Sequence, residues 1–309
     1  MRSLRPLSPE GGQRRLALML DAPDWHSAEL TAAFGVRGID LAPVRWRDCA
    51  FDMSSASGII LQGFDDLPDA VLVRQVGGRG FEAVTWRLGL LHGLARLGVV
   101  LINSAASIEA ATDKSMTSFR LAQAGIATPA SFTLAGRKAA LAIARRELDH
   151  GPLVLKPLFG AQGRGLYLIR QPDDLPPASK VSGIYHLQRY IGAQTAPYCD
   201  VRLLVAHGAV IGAMERHANH WITNLARGGT AIWFKPDHDL QSLALAATET
   251  LGLMVAGVDL MRTSDGAWQV LEVNAMPGFA GMQSVAPYSI ATALAGRLLV
   301  ALQNGKTLA

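Results

Sequence analysis

Cysteine is scarce in this chain: Cys49 and Cys199, far apart, are the only two in 309 residues. Two such thiols build no disulfide framework, which points to a reducing, cytoplasmic compartment. Neither lies in a recognisable reactive setting, so both read as core thiols rather than nucleophiles. Long apolar runs are missing as well. LALML stops at Asp21, Pro23 and Asp24, too short for the apolar region of a secretory signal. No stretch approaches the roughly 18 apolar residues of a membrane span. Four arginines precede LALML, and residues 1–13 are expected to form a loose tail. No long basic run is present, which argues against nucleic acid as a partner. No Ser-His-Asp or Cys-His arrangement stands out, and neither internal repeats nor low-complexity linkers occur.

What is present suits a compact globular protein. Half of the residues are apolar and 17% are charged, so the chain buries a sizeable core, and its length allows two or three domains. The 29 basic against 25 acidic residues leave a mild excess of +4, suited to anionic small molecules. Periodicity predicts strands at 15–20, 58–61, 70–74 and 99–102, with helices at 27–34 and 81–97 between them. The short apolar strands, 58–61 among them, read as buried and parallel. A further helix is predicted over 113–124, with Thr112 as N-cap and Gly125 just past its end. From Leu153 the pattern changes to strands joined by turns, and helices return at 240–251 and 290–302. An α/β unit followed by an α+β body is the expected class.

The segment 257–274 carries the densest chemical signal. A hairpin centred on Asp265-Gly266 sets Asp259 opposite Glu272, with Asn274 further along the same face. Paired carboxylates among apolar neighbours repel unless a proton or cation lies between them. Hard oxygen ligands of this kind suit magnesium bound together with phosphates. Upstream, the loop Gly160-Ala161-Gln162-Gly163-Arg164-Gly165 joins two strands. It lacks the Gly-Lys-Ser/Thr and the following helix of a Walker loop, so it reads as a flap offering backbone N–H groups to phosphate. Lys156, near the end of an apolar strand, needs an anionic partner. Lys114 is a second candidate cation. Gln188-Arg189-Tyr190-Ile191 ends a strand as a hinge. Arg202, Arg216 and Arg227 stand at strand ends and in a polar loop with Asn224, where arginine suits bidentate contact with phosphate or carboxylate. His217 and His220 bracket Trp221 without completing a metal-ligand pattern and read as pocket lining or surface.

Taken in order, these residues resemble the ATP-grasp superfamily, and within it the RimK-type glutamate ligases. The strings that carry the resemblance are AGVDL with VLEVNAMPGFAG, N-L-x-R-G-G at 224–229, D-x-R at 200–202, DAVLVRQVGG and INSAASIEAATDKSMT. It implies an ATP-grasp fold: an N-terminal α/β domain over 1–103, a central subdomain with the flap over 104–187, and a C-terminal subdomain with the metal site over 188–309. It implies ATP contacts from Lys114, Lys156, Gln162, Gly163, Arg164, Gly165, Gln188, Arg189, Tyr190, Ile191, Asp200 and Asn224. Arg202, Arg216 and Arg227 take catalytic roles on the phosphoryl groups, while Asp259, Glu272 and Asn274 hold two Mg2+ ions, with Mn2+ as a substitute. Two departures stand out: Arg189 replaces an acid common at the hinge, and His217–Thr223 differs from the charged segment of relatives.

The expected activity is ATP-dependent joining of a carboxylate to an amine through an acyl phosphate, with L-glutamate as the amine. The neutral 217–223 segment favours a small acceptor, a pterin or furan cofactor with a glutamyl tail. Alternatives are modification of a protein C-terminus and a non-catalytic ATP-binding regulator. The apolar content is compatible with a homo-oligomer, although no segment marks an interface.

Overall fold

The computed structural model describes residues 15–78, 80–160 and 162–303. The expected tail at 1–13 lies outside them. The chain opens with β1 (Arg15–Leu20), α1 (Trp25–Gly35), β2 (Asp40–Arg45), β3 (Cys49–Phe51), β4 (Ile59–Leu61), β5 (Ala70–Val73), α2 (Phe81–Arg96) and β6 (Val100–Ile102). Four of these strands form a parallel sheet in the order β2-β1-β5-β6. The strand expected at 58–61 is not part of it. Strand β4 pairs antiparallel with β3 in a separate hairpin, with Ile59 and Leu61 buried and Ile60 between them 41% exposed, so the strand has one outward face and is not a parallel member of the sheet.

Two helices follow, α3 (Ala105–Thr112) and α4 (Lys114–Gln123). Asp113 ends the first and caps the second, its carboxylate accepting from the N–H groups of Ser115 and Met116. The cap is therefore Asp113 rather than Thr112, because a carboxylate reaches two orphan N–H groups at once. The central part comprises β7 (Ser131–Ala135), α5 (Arg137–Glu147), β8 (Leu153–Lys156), β9 (Tyr167–Ile169) and β10 (Ile184–Arg189). Its four strands pair antiparallel in the order β7-β10-β8-β9.

The remainder holds β11 (Tyr198–Ala206), β12 (Ala209–Ala218), β13 (Thr230–Trp233), α6 (His238–Thr250), β14 (Val255–Arg262), β15 (Trp268–Asn274), α7 (Ala280–Gln283) and α8 (Ile290–Gln303). The strands form an antiparallel sheet in the order β13-β12-β11-β14-β15.

Among the described residues three apolar cores result. Two of them draw on both the first and the last sheet: Met19, Val71 and Leu91 pack in one core with Val201, Leu203 and Val258, and Leu18, Phe34 and Leu72 in another with Leu204, Met254 and Leu298. The third contains only central residues, among them Ala144, Leu155, Tyr185 and Leu187. Buried Asn103, just past β6, also fastens the first sheet to the last. Its amide N–H groups donate to Val255 O (2.7 Å) and Ala275 O (2.6 Å), and its carbonyl accepts from Met254 N (2.6 Å) and Val255 N (2.9 Å). No described helix is long and apolar enough to cross a membrane.

Candidate active site

A cleft enclosing about 800 Å3, open solvent included, lies between the central and last sheets. That is within the range of small-molecule sites. One wall is the hairpin β14–β15. Asp259 stands opposite Glu272, as the alternation of side chains requires. The geometry that achieves this differs from a two-residue turn. Thr263 N donates to Ala267 O at 2.8 Å, so three residues form the loop, with Gly266 at φ +90°. The pairing Asp259↔Glu272 then gives way to Leu260↔Val270, leaving Leu271 as a bulge. The bulge turns Leu271 as well as Glu272 into the cleft.

Charges are concentrated on this wall. Asp259 is buried, and Arg202 grips both of its oxygens, Nε–Oδ1 and Nη2–Oδ2 each at 2.6 Å. Arg216, itself buried, pairs with both oxygens of Asp200 and lies 3.2 Å from Asp259 Oδ2. Burial pushes the Asp259 carboxyl up, but Arg202 and Arg216 outweigh it and hold it below the usual carboxylate range. Burial likewise opposes charge on Arg216, and Asp259 and Asp200 overcome that, keeping the guanidinium protonated.

The opposite wall is the central sheet. Lys156, at the end of β8, donates to Gln188 Oε1 on the neighbouring strand, and Gln188 in turn donates to Ser131 Oγ at 3.1 Å. Burial lowers the Lys156 pKa from 10.5 to about 8, with Glu272, Asp259 and Asp200 pulling upward and Lys114 downward. His186, opposite Lys156 on β10, is lowered to about 4 by burial and by these two lysines, so it is neutral near pH 7. Lys114 bridges the two walls: its ammonium donates to Gly160 O at 3.0 Å and lies 3.3 Å from Glu272 Oε1.

Gly160 and residues 162–164 close the top. Gly163, at φ +67°, approaches so closely that a Cβ there would meet Asn224 Oδ1 and Ile222 Cγ2 at 2.7 Å. At the hinge, Arg189 N and Tyr190 N donate to Ala130 O and Pro152 O within the sheet, leaving the Ile191 N–H as the donor without a partner among the described residues. The Arg189 side chain is held away by Glu147 at 2.7–2.8 Å. Tyr190 meets Trp221 edge-on, centroids 6.3 Å apart.

The cleft thus gathers Lys114, Lys156, Gln162, Gly163, Arg164, Gln188, Arg189, Tyr190, Ile191, Asp200, Arg216, Asn224, Asp259 and Glu272. Gly165, Arg202, Arg227 and Asn274 are not among its lining residues. Arg202 stands behind Asp259, Asn274 Nδ2 contacts Gly257 O at 3.4 Å, and Arg227 ends a short turn, Leu225–Arg227, past Asn224. Sequence reasoning missed Met261, Leu271 and Glu147. Met261 follows Asp259 by two on the same face and was readable. Leu271 depends on the bulge, and Glu147 contacts Arg189 from 42 residues away, with no local signal.

A model of the RimK-like ATP-grasp domain matches residues 111–298. A tetrahydromethanopterin:alpha-L-glutamate ligase of Methanococcus maripaludis is 32% identical over 291 residues, covering 90% of this chain and 95% of the relative. A probable alpha-L-glutamate ligase of Shewanella sp. strain MR-4 is 29% identical over 289 residues, with 91% and 94% covered. Among solved structures, the ATP-grasp ligase PsnB complexed with minimal precursor, Mg and ADP superposes at TM-score 0.71 and 19% identity, covering 94% of this chain and 98% of that one. A RimK domain protein of Sphaerobacter thermophilus gives TM-score 0.68 at 24% identity, with 91% and 98% covered. At these identities the structures share the fold.

Proposed function

Because the chain belongs to the RimK-like ATP-grasp family, we propose that it joins L-glutamate to a small carboxylate acceptor, a pterin- or furan-type cofactor with a glutamyl tail. Its class is that of an ATP-dependent ligase forming C–N bonds and releasing ADP. The pterin preference is supported by the Methanococcus relative, whose name carries tetrahydromethanopterin. Cytoplasmic placement goes with two free thiols.

In this reading ATP lies in the cleft with its adenine edge at the Ile191 N–H and its base beside Tyr190 and Trp221. Lys114 and Lys156 take the phosphates, and the 160–165 flap closes over them. With Arg189 paired to Glu147, four lining cations (Lys114, Lys156, Arg164, Arg216) face three lining carboxylates (Asp200, Asp259, Glu272), so the site favours an added anion. The donor set Asp259, Glu272 and Asn274 is all hard oxygen on adjacent strands, which fits Mg2+, and two ions are proposed. Mg2+, when bound, supplies charge neutralisation on the transferring phosphoryl group.

An oxygen of the acceptor carboxylate attacks the γ-phosphorus and ADP leaves, giving an acyl phosphate. The glutamate amine then attacks the acyl carbon, the C–O bond breaks and phosphate departs. Arg202 orients Asp259 from behind and Arg216 does so from within the cleft, Arg227 is proposed to hold developing phosphate charge, and flap closure would exclude water that hydrolyses the intermediate.

The carrying observation is the Asp259–Glu272 pair facing Lys114 and Lys156 across one cleft. The test measures ADP release with ATP, glutamate and a panel of glutamyl-tailed pterins, furans and protein C-termini, with Glu272→Gln as control. Turnover is expected with a small acceptor, falling at least about a hundredfold in Glu272→Gln while nucleotide binding is weakened but measurable. ADP formed only with a protein substrate overturns the acceptor assignment, and nucleotide binding without any ligated product overturns the ligase reading.

A further inference from the structure

The last sheet carries a second cluster of metal-ligating side chains, on the face turned away from the cleft. Cys199 on β11 pairs directly with His217 on β12, and Glu215 lies two residues before His217, on the same face. Asp200 and Arg216, the intervening cross-strand pair, project to the other side, into the nucleotide cleft. Cys199 Sγ and His217 Nε2 are 3.7 Å apart, and His217 Nε2 lies 2.8 Å from Glu215 Oε2. All three donor atoms fall within 4.8 Å of one another.

From Cys199, Glu215 and His217 we infer a soft-metal site for Zn2+, distinct from the Mg2+ site. A tetrahedral zinc with a thiolate and an imidazole ligand places S and N about 3.6 Å apart, close to the spacing found here. The Nε2–Oε2 separation must open by about 0.5 Å as the shared proton leaves and the metal enters. Thiolate, imidazole and carboxylate together select zinc over magnesium, which takes oxygen alone. His217 and Glu215 are 34% and 31% exposed, so an ion reaches the site and a water takes the fourth position.

Metal binding has to displace a proton from the Cys199 thiol. Burial, with Glu215 and Asp200 nearby, pushes the Cys199 pKa up to about 11, so the group is an inert neutral thiol until a cation lowers it. Two metals of opposite hardness are thereby assigned to opposite faces of one sheet. A Zn2+ ion clamping β11 to β12 would do so at the register step that holds Asp200 against Arg216.

The test uses the full-length protein, stripped with chelator and held in excess Mg2+ so that hard sites are filled. Co2+ is expected to give tetrahedral visible bands and a thiolate-to-metal charge-transfer band, both bleached by Zn2+. Cys199→Ser removes the charge-transfer band and weakens Zn2+ binding on the order of a hundredfold or more, leaving Mg-ATP binding unchanged. Independently, Zn2+ protects Cys199 of the unmutated protein from alkylation, read by peptide mass spectrometry, so misfolding of the variant does not decide the outcome. Equal Zn2+ affinity in Cys199→Ser, or alkylation of Cys199 that Zn2+ does not slow, overturns the site.

Discussion

Lys156 is the residue on which the cleft's chemistry turns most directly. Its pKa falls from 10.5 to about 8 because burial removes water from the ammonium. Between those values the unfolded chain holds a proton that the folded chain lacks, so this group's contribution to stability rises with pH across that window. If Lys156 holds phosphate as proposed, phosphate affinity moves the other way, because the neutral amine attracts no anion. ATP binding is therefore expected to weaken above about pH 8, by up to about tenfold per unit, and to take up a proton there. Calorimetry in buffers of different ionisation heat reads that proton. Affinity independent of pH between 8 and 10, with no proton uptake, would show that Lys156 stays charged.

The flap and the β14–β15 hairpin set the site at the scale of elements. Gly163→Ala is expected to hold the flap off Ile222 and Asn224, because a Cβ at φ +67° has no room there. Turnover should drop about tenfold or more through loss of closure, with the melting temperature almost unmoved, and stopped-flow ATPase and thermal scans separate the two. These elements also show what was legible beforehand. Period-two alternation and a turn at Asp265-Gly266 suffice to pair Asp259 with Glu272. The longer loop and the Leu271 bulge leave the same pair in place, since the added residue on each side cancels. The β4 strand was misread because an apolar triplet carries no sign of its partner, and α3 was missed where its end and the next helix share Asp113. The charges of Arg216 and Arg189 are visible in sequence. Their partners Asp259 and Glu147 are not, because only the fold brings those residues together.

At the scale of the whole molecule, Asn103 fastens the first sheet to the last with four buried hydrogen bonds. Asn103→Ala strands two carbonyls and two N–H groups at once. A loss of roughly 3–5 kcal/mol is expected, read as a lower denaturant midpoint with unchanged slope. A loss below about 1 kcal/mol would mean that water replaces the amide.

Two shared cores and that amide make the outer parts one body, while the central part keeps a core of its own. Heat should therefore melt the ligand-free protein in two steps, the central part separately from the rest. Mg-ATP seated in the proposed cleft site would touch both bodies and act as mortar: at saturation the two calorimetric peaks are expected to merge into one.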